Sequence, residues 1–165
     1  MDCLFFRHGI AIEREKWRGS EQDRPLTDQG AGRTKESGKG LLALRMRPTH
    51  ILSSPLTRAH ETAVILQSLI HSKPKIQICT ELDPAAAPHA LFSLLDALPS
   101  DAVVLCVGHE PHLSLAAGIL LTGKPCGGLS LKKAGACLIH IEESVKPAAG
   151  RLEWWLTAGQ LRALA

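Results

Sequence analysis

Residues 102–107, Ala-Val-Val-Leu-Cys-Val, form an uninterrupted apolar run that ends at Gly108. A run of this length, rich in β-branched residues, is typical of a strand buried on both faces of a parallel sheet. Parallel sheets of this kind are covered by helices on both sides. This segment therefore predicts a central sheet between two helical layers.

Shorter strand-like and helix-like segments alternate along the rest of the chain. Further strands are predicted at residues 3–6, 50–53, 76–78, 135–142 and 152–156. Helices are predicted from Thr27 to about Arg47, from Pro55 after the capping residue Ser54, at 90–98, at 111–121, and in a short amphipathic tail. This alternation predicts the α/β class, as a three-layer α/β/α sandwich with a mostly parallel central sheet.

Length and composition fit one globular domain over residues 1–165, since domains average roughly 150 residues. The 45% apolar and 21% charged residues exclude a disordered or collagen-like chain. The net charge of +3 comes from scattered Lys and Arg, and the chain has no Tyr and only three Phe. Nucleic-acid binding is disfavoured because base stacking needs aromatic side chains, whereas a small anionic substrate suits the charge.

Five cysteines lie in separate segments without a CxxC pair, which indicates buried thiols in a reducing compartment rather than a zinc site or paired disulfides. The apolar run 3–6 is too short for a signal-peptide core, and 113–121 is too short to span a bilayer. We therefore expect a cytoplasmic protein without a membrane partner. No metal or other cofactor is implied.

Three predicted strands end in polar residues suited to binding phosphate. The first ends in Arg7-His8-Gly9, the second in Ser53-Ser54-Pro55-Leu56-Thr57-Arg58, and the central one in Gly108-His109-Glu110-Pro111. In open α/β sheets ligands bind outside the carboxyl ends of the strands, so we expect these segments to converge. Phosphoryl transfer needs a nucleophile, cationic donors and a preorganised pocket, and these residue types could supply all three.

Arg7-His8-Gly9, Ser54-Pro55-Leu56-Thr57-Arg58-Ala59 and Gly108-His109 resemble the signature of the histidine phosphatase superfamily, also called phosphoglycerate mutase-like. Their order and spacing match across nearly the whole chain. The short length, Arg24-Pro25-Leu26-Thr27, Glu81-Leu82-Asp83-Pro84 and Gly108-His109-Glu110-Pro111 are more similar to the SixA-type phosphohistidine phosphatases of that superfamily than to its mutases.

The resemblance implies that His8 is the nucleophile. Attack by a neutral imidazole on phosphorus gives a phosphoramidate that water can cleave. Arg7 and Arg58 would bind the phosphoryl oxygens, because a planar guanidinium offers paired donors and stays charged. His109 would donate to the oxygen that accumulates charge. His112 has no counterpart in the motif and is interpreted as structural or as part of the rim.

The general acid is the open part of the site. Many relatives carry a Glu shortly after the third strand, and the candidates here are Glu81 and Asp83. Either carboxylate could equally be a solvated or capping group. An alkoxide leaving group needs a proton from such an acid, whereas a phosphohistidine can have its leaving nitrogen protonated before cleavage.

Three hypotheses for the function follow. The first is a phosphohistidine phosphatase that acts on a phosphohistidine-bearing protein, such as a signalling phosphotransfer domain, through a covalent intermediate on His8. The second keeps this nucleophile but takes small phosphate monoesters. The third is a non-catalytic phosphate-binding module. Residues 10–27 and 83–90 are expected to form the rim that selects the substrate.

Overall fold

A six-stranded sheet forms the centre of the molecule. The computed structural model describes all 165 residues. The strands are β1 (Asp2–Arg7), β2 (His50–Ser53), β3 (Ile76–Ile78), β4 (Val103–Gly108), β5 (Ala136–Ile141) and β6 (Gly150–Leu156). The helices are α1 (Asp28–Ala43), α2 (Thr57–Leu69), α3 (Pro88–Asp96), α4 (His112–Thr122) and α5 (Ala158–Ala163), with a 3₁₀ turn at Thr80–Leu82.

The strand order in the sheet is β3-β2-β4-β1-β5-β6. The first four strands in this order pair in parallel, while β5 is antiparallel to both β1 and β6. The carboxyl ends of β1, β2 and β4 therefore lie at the same end of the sheet, together with the start of β5 and the end of β6. We call this end the carboxyl edge of the sheet. The prediction of an α/β fold with a mostly parallel central sheet is confirmed.

Each face of the sheet carries its own apolar core. In β1, Cys3 and Phe5 pack with the cluster that includes α3 and α4, whereas Leu4 and Phe6 pack with the cluster that includes α1, α2 and α5. Neighbouring residues of a strand point to opposite faces, so a run that is apolar throughout is buried on both sides. Burying each such large apolar side chain stabilises the fold by roughly 1.5–3 kcal/mol.

Two helix starts differ in how well the sequence predicted them. Thr27 caps α1, and its hydroxyl accepts a hydrogen bond of 2.9 Å from the amide of Gly30. The helix predicted from Pro55 begins instead at Thr57, because the Ser54 hydroxyl accepts from the amide of Leu56 at 3.3 Å and holds a turn there. None of the helices combines the length and apolar character needed to cross a membrane.

Glycine in α1 has a packing role in addition to its low helix propensity. A Cβ atom at Gly40 would lie 2.0 Å from the carbonyl oxygen of Leu161 in α5. No side chain fits at that distance, so glycine allows α5 to pack directly on the backbone of α1.

All five cysteines are free thiols, and only Cys126 is not fully buried.

Candidate active site

The register of β1 and β4 places two of the predicted motifs side by side. Arg7, the last residue of β1, is paired with Gly108, the last residue of β4. The amide of His8 donates to the carbonyl of Gly108 at 3.0 Å. As a result the rings of His8 and His109 are neighbours, with centroids 4.9 Å apart and planes inclined at 55°.

The imidazole of His8 is held in one orientation. Its Nδ1 donates to the carbonyl oxygen of Gly9 at 2.7 Å, while Nε2 makes no hydrogen bond and reaches solvent. The backbone beneath it is fixed as well, because the Gly9 amide donates to the Thr62 hydroxyl of α2 at 3.0 Å. A Cβ atom at Gly9 would lie 2.3 Å from Thr34 Oγ1, so this position has room only for glycine.

His8 is a neutral group with an available lone pair. Burial lowers its pKa to about 3, and the positive charges of Arg58 and Arg7 act in the same direction, against the opposing hydrogen bond to Gly9. At neutral pH the single ring proton therefore lies on Nδ1, where the carbonyl accepts it. This leaves Nε2 unprotonated and accessible, which is the state required of a nitrogen nucleophile.

The two arginines are anchored by backbone carbonyls. Arg7 donates from Nη1 to the carbonyl of Leu131 at 2.8 Å. Arg58, the second residue of α2, donates from Nη1 to the carbonyl of Glu21 at 3.0 Å, and its Nη2 lies 3.1 Å from the Glu21 carboxylate. Burial lowers the pKa of both groups, but a guanidinium stays charged at any working pH.

His109 is 2% exposed and shares a hydrogen bond of 2.8 Å between its Nε2 and the Ser54 hydroxyl. Burial lowers its pKa to about 2, so this ring is also neutral.

Among the two arginines and two histidines, three nitrogens are buried without a protein partner: Nε of Arg7, Nε of Arg58 and Nδ1 of His109. Buried polar atoms are nearly always hydrogen-bonded, so three unpartnered nitrogens around one pair of histidines are more than packing alone explains. We call Arg7, His8, Arg58 and His109 the site floor.

Three residues beside the floor have roles that the sequence analysis does not predict. Ser54 belongs to a predicted motif, but only a capping role is predicted for its side chain. Glu21 makes ion pairs with Arg14, Arg24 and Arg58, and its only sequence signal is the i,i+3 spacing to Arg24. Glu110 accepts from the Leu131 amide at 3.1 Å and from the Ser114 hydroxyl, which ties α4 to the segment that anchors Arg7.

The two acid candidates lie in different surroundings. Asp83 follows the 3₁₀ turn, and its charge acts on both Arg58 and His112, opposing the lowering of their pKa values. Glu81 instead acts on Cys79, whose pKa is raised to about 11 chiefly by burial. The charge of Asp83 thus acts on one residue of the floor, Arg58, whereas that of Glu81 acts on a thiol outside it. Its Oδ1 also accepts from the Ala85 amide at 3.0 Å.

His112 does not belong to the rim. It is 1% exposed, and both of its ring nitrogens are buried without a partner. Burial lowers its pKa. Of the two interpretations given to His112, the rim position is wrong because α4 begins inside the molecule at this residue.

Comparison with known proteins assigns the class. The family model of the histidine phosphatase superfamily (branch 1) matches residues 3–83, a range that contains Arg7, His8 and Arg58. An uncharacterized protein from Picosynechococcus sp. is 39% identical over 138 residues, covering 82% of each chain. The chain belongs to the histidine phosphatase superfamily.

Solved structures agree on the fold. A protein histidine phosphatase SixA complexed with tungstate has a TM-score of 0.86 at 22% identity, covering 98% of this chain and 99% of that one. A mycobacterial glucosyl-3-phosphoglycerate phosphatase has a TM-score of 0.70 at 19% identity, covering 94% and 99%. The phosphoglycerate mutase-like fold predicted from the motifs is confirmed, and its relatives include enzymes named for different substrates.

Proposed function

We propose that the protein is a phosphohistidine phosphatase that removes the phosphoryl group from a phosphohistidine-bearing protein through a covalent intermediate on His8. The observation that carries this proposal is the state of the His8 ring. It is neutral, its Nδ1 proton is held by the Gly9 carbonyl at 2.7 Å, and Nε2 is free and accessible. These are the requirements for in-line attack by nitrogen on phosphorus.

In the first step, Nε2 of His8 forms a bond to phosphorus while the bond from phosphorus to the substrate nitrogen breaks. A substrate phosphohistidine that carries a proton on its other ring nitrogen leaves as a neutral imidazole, so no further proton is needed. Arg7 and Arg58 would offset the charge on the transferring oxygens. His109, whose Nδ1 has no partner, would complete the set of groups around these oxygens.

In the second step, water attacks phosphorus and the bond from phosphorus to His8 breaks. Both hydrogens of the water remain on the departing dihydrogen phosphate, and His8 returns to its neutral form with the proton still on Nδ1. The cycle therefore leaves the ring in the protonation state in which it began. Both steps are displacements at phosphorus held between the same fixed donors.

The choice of a nitrogen-linked substrate rests on the carboxylates near the floor. Glu110 already accepts two hydrogen bonds, Glu81 acts on Cys79, and Asp83 accepts from the Ala85 amide. A protonated phosphohistidine requires no acid, whereas an alkyl phosphate does. The likeness to SixA over 98% of this chain agrees with this choice, and a signalling phosphotransfer domain is the kind of protein that would carry the substrate.

The test is a rapid-quench experiment with a ³²P-labelled phosphohistidine protein. We expect inorganic phosphate to be released and label to appear transiently on His8 under alkaline quench, which preserves phosphoramidates. His8→Asn should remain unlabelled. Absence of both hydrolysis and labelled enzyme would contradict the proposal, while a single measurable turnover would exclude the alternative of a non-catalytic phosphate-binding module.

A small phosphate monoester is the second candidate substrate, and the position of Asp83 favours it. The charge of Asp83 reaches both Arg58 and His112, so a proton donor at that position would lie close to the floor. If esters are the substrates, Asp83→Asn should lower kcat by about 10²-fold on alkyl phosphates and much less on aryl phosphates with good leaving groups. Glu81→Gln is the matched control, and equal losses in both variants would argue against an acid role for Asp83.

A further inference from the structure

A second concave feature lies beside the nucleophile loop. It is a cleft of about 200 Å³ whose lining includes Ile10 and four cationic residues contributed by three segments. Arg33 comes from α1, Lys132 and Lys133 from the segment before β5, and Arg162 from α5. We call these four side chains and their cleft the basic cleft.

The positive charge of the basic cleft is not neutralised within the protein. None of its four cations takes part in an ion pair, and no acidic residue lines the cleft. Of the acidic residues in the adjoining segments, Glu13 is paired with Lys16 at 2.6 Å and Glu36 with Lys39 at 2.8 Å, whereas Glu15 and Asp28 make no ion pair and do not line the cleft. Four like charges around one concavity repel each other and raise the local concentration of anions.

The basic cleft opens at the same edge of the sheet as the site floor. Ile10 follows His8 by two residues, and the amide of Ala134, which also lines the cleft, donates to the His8 carbonyl at 3.2 Å. Strand β6 ends at this edge and α5 begins there. A ligand held in the cleft would therefore lie beside a phosphoryl group over His8.

The character of the side chains indicates the class of ligand. Arg33, Lys132 and Lys133 are exposed and Arg162 is half-buried, so the charges sit at the ends of long side chains in contact with solvent. Such groups attract a charged surface over a distance and fix its approach, but they do not build the rigid donor set that holds one phosphate. Mobile carboxylates on a protein surface match them better than a second phosphate on a small molecule.

We propose that the basic cleft docks an acidic surface of the phosphohistidine-bearing protein, next to the phosphorylated histidine. This inference rests on the proposed function and adds the feature by which a substrate is selected. It requires acidic residues near the phosphohistidine of the substrate. It also requires that docking be screened by salt, since exposed charges interact over a Debye length of about 8–10 Å at moderate ionic strength.

The experiment compares three substrates at low and high salt. Two are phosphohistidine peptides of equal length, one flanked by Asp and Glu and the other by Asn and Gln, and the third is phosphoramidate. The variant is the double charge reversal Arg33→Glu with Arg162→Glu, on two helices and away from the backbone that holds Arg7 and His8. The matched control is Lys75→Glu with Lys124→Glu, two exposed cations at the opposite edge of the sheet that make no ion pair.

We expect kcat/KM of the wild type to favour the acidic peptide by about tenfold at low salt, with the preference falling as salt rises. The cleft variant should lose this preference while its hydrolysis of phosphoramidate and its melting temperature stay unchanged. The control variant should keep the preference. Equal treatment of the two peptides by the wild type, or equal losses in the cleft and control variants, would overturn the inference while leaving the proposed function intact.

Aryl phosphates and small esters that carry a second phosphate are assayed alongside these three substrates, and two further outcomes are informative. If the cleft variant loses activity only on small esters that carry a second phosphate, the cleft is a subsite for a small polyanion and docking of a protein is wrong. If the wild type hydrolyses neither peptide nor phosphoramidate but does hydrolyse aryl phosphates, the proposed function fails and the docking inference fails with it.

Discussion

The site floor and the basic cleft meet at the loop after β1, where Ile10 of the cleft follows His8 by two residues. The two regions differ in how deeply their charged and polar groups are buried. In the floor, His8 is 7%, Arg58 5% and His109 2% exposed, and each ring or guanidinium is tied to a backbone carbonyl or hydroxyl. The cleft carries its charges on solvated stems without a partner. Burial fixes geometry and keeps the histidines neutral, which serves a bond-making step. Exposure keeps charges mobile and sensitive to salt, which serves recognition of a partner.

The largest effect is expected at the nucleophile. His8→Asn keeps a polar side chain of similar size but removes the attacking nitrogen. We expect kcat on a phosphohistidine substrate to fall by about 10⁴-fold or more, since loss of a nucleophile costs on this scale or beyond it. The measurement is single-turnover hydrolysis of labelled phosphohistidine.

The same variant should separate chemistry from binding. Because Arg7, Arg58 and His109 remain, His8→Asn is expected to bind inorganic phosphate within about threefold of the wild type, by calorimetry. Turnover within tenfold of the wild type would show that His8 is not the nucleophile. The contrast between a site floor built for chemistry and a basic cleft built for recognition would then fail.

Arg58→Lys tests whether the floor depends on geometry or on charge alone. Lysine keeps the charge but lacks the planar fork that can hold the Glu21 carbonyl and an oxygen of the substrate together. We expect kcat/KM to fall by about 10²-fold, the usual scale for removing a preorganised donor. In the cleft, the conservative change Arg162→Lys should have no effect on phosphoramidate hydrolysis. Full activity of Arg58→Lys would show that the floor, like the cleft, works through charge.

Burial of neutral histidines in the floor also predicts how stability depends on pH. In the unfolded chain an imidazole takes up a proton below about pH 6.5, whereas burial holds the pKa of His8 at about 3 and that of His109 at about 2. The unfolded state therefore binds more protons between these values, and the free energy of unfolding falls as the pH drops below about 6.5.

Each buried ring can contribute up to about 1.4 kcal/mol per pH unit to this slope. Denaturant unfolding between pH 7 and pH 4.5 should show a shallower loss of stability in His8→Asn than in the wild type. His60→Asn, a change at an exposed histidine of α2, is the control and should follow the wild type. Parallel curves for all three proteins would mean that His8 is not held neutral by the fold.

The site floor could be predicted from the sequence better than the basic cleft, because the floor lies at the ends of buried strands. The strand ends of the floor could be read from the sequence, because an apolar run that stops at Arg7 or Gly108 marks the edge of a sheet. The parallel pairing of β1 and β4 then places His8 beside His109. The hydrogen bond between Ser54 and His109 could not be predicted, since a serine before Pro55 has an ordinary explanation as a cap.

The basic cleft could not be found in this way. Arg33, Lys132 and Arg162 are far apart in sequence and have no shared pattern, and only the packing of α5 on α1 brings them to one concavity. The same holds for Glu21, which lies in an irregular segment. Local propensities locate helices and strands, whereas these contacts depend on the tertiary arrangement of exposed segments.

Glu21 contacts the floor through Arg58, and its substitution is expected to have the smallest effect. Its carboxylate is 3.1 Å from Arg58 Nη2, while its backbone carbonyl holds Nη1 at 3.0 Å. An incoming phosphoryl oxygen must share Arg58 with this carboxylate. Glu21→Gln removes the competing charge but keeps the backbone anchor, so we expect inorganic phosphate to inhibit two- to fivefold more strongly, the scale of about 0.5–1 kcal/mol for a partly exposed ion pair.

The control for Glu21→Gln is Glu36→Gln, which removes a carboxylate that is paired with Lys39 on α1 and should leave inhibition unchanged. Both constants are measured by competition against phosphoramidate. If Glu21→Gln instead weakens phosphate inhibition, the carboxylate positions Arg58 more than it competes for it. The segment around residues 13–24 would then be part of the rigid floor rather than the rim, and the boundary between fixed and mobile charge would move outward to Arg14 and Arg24.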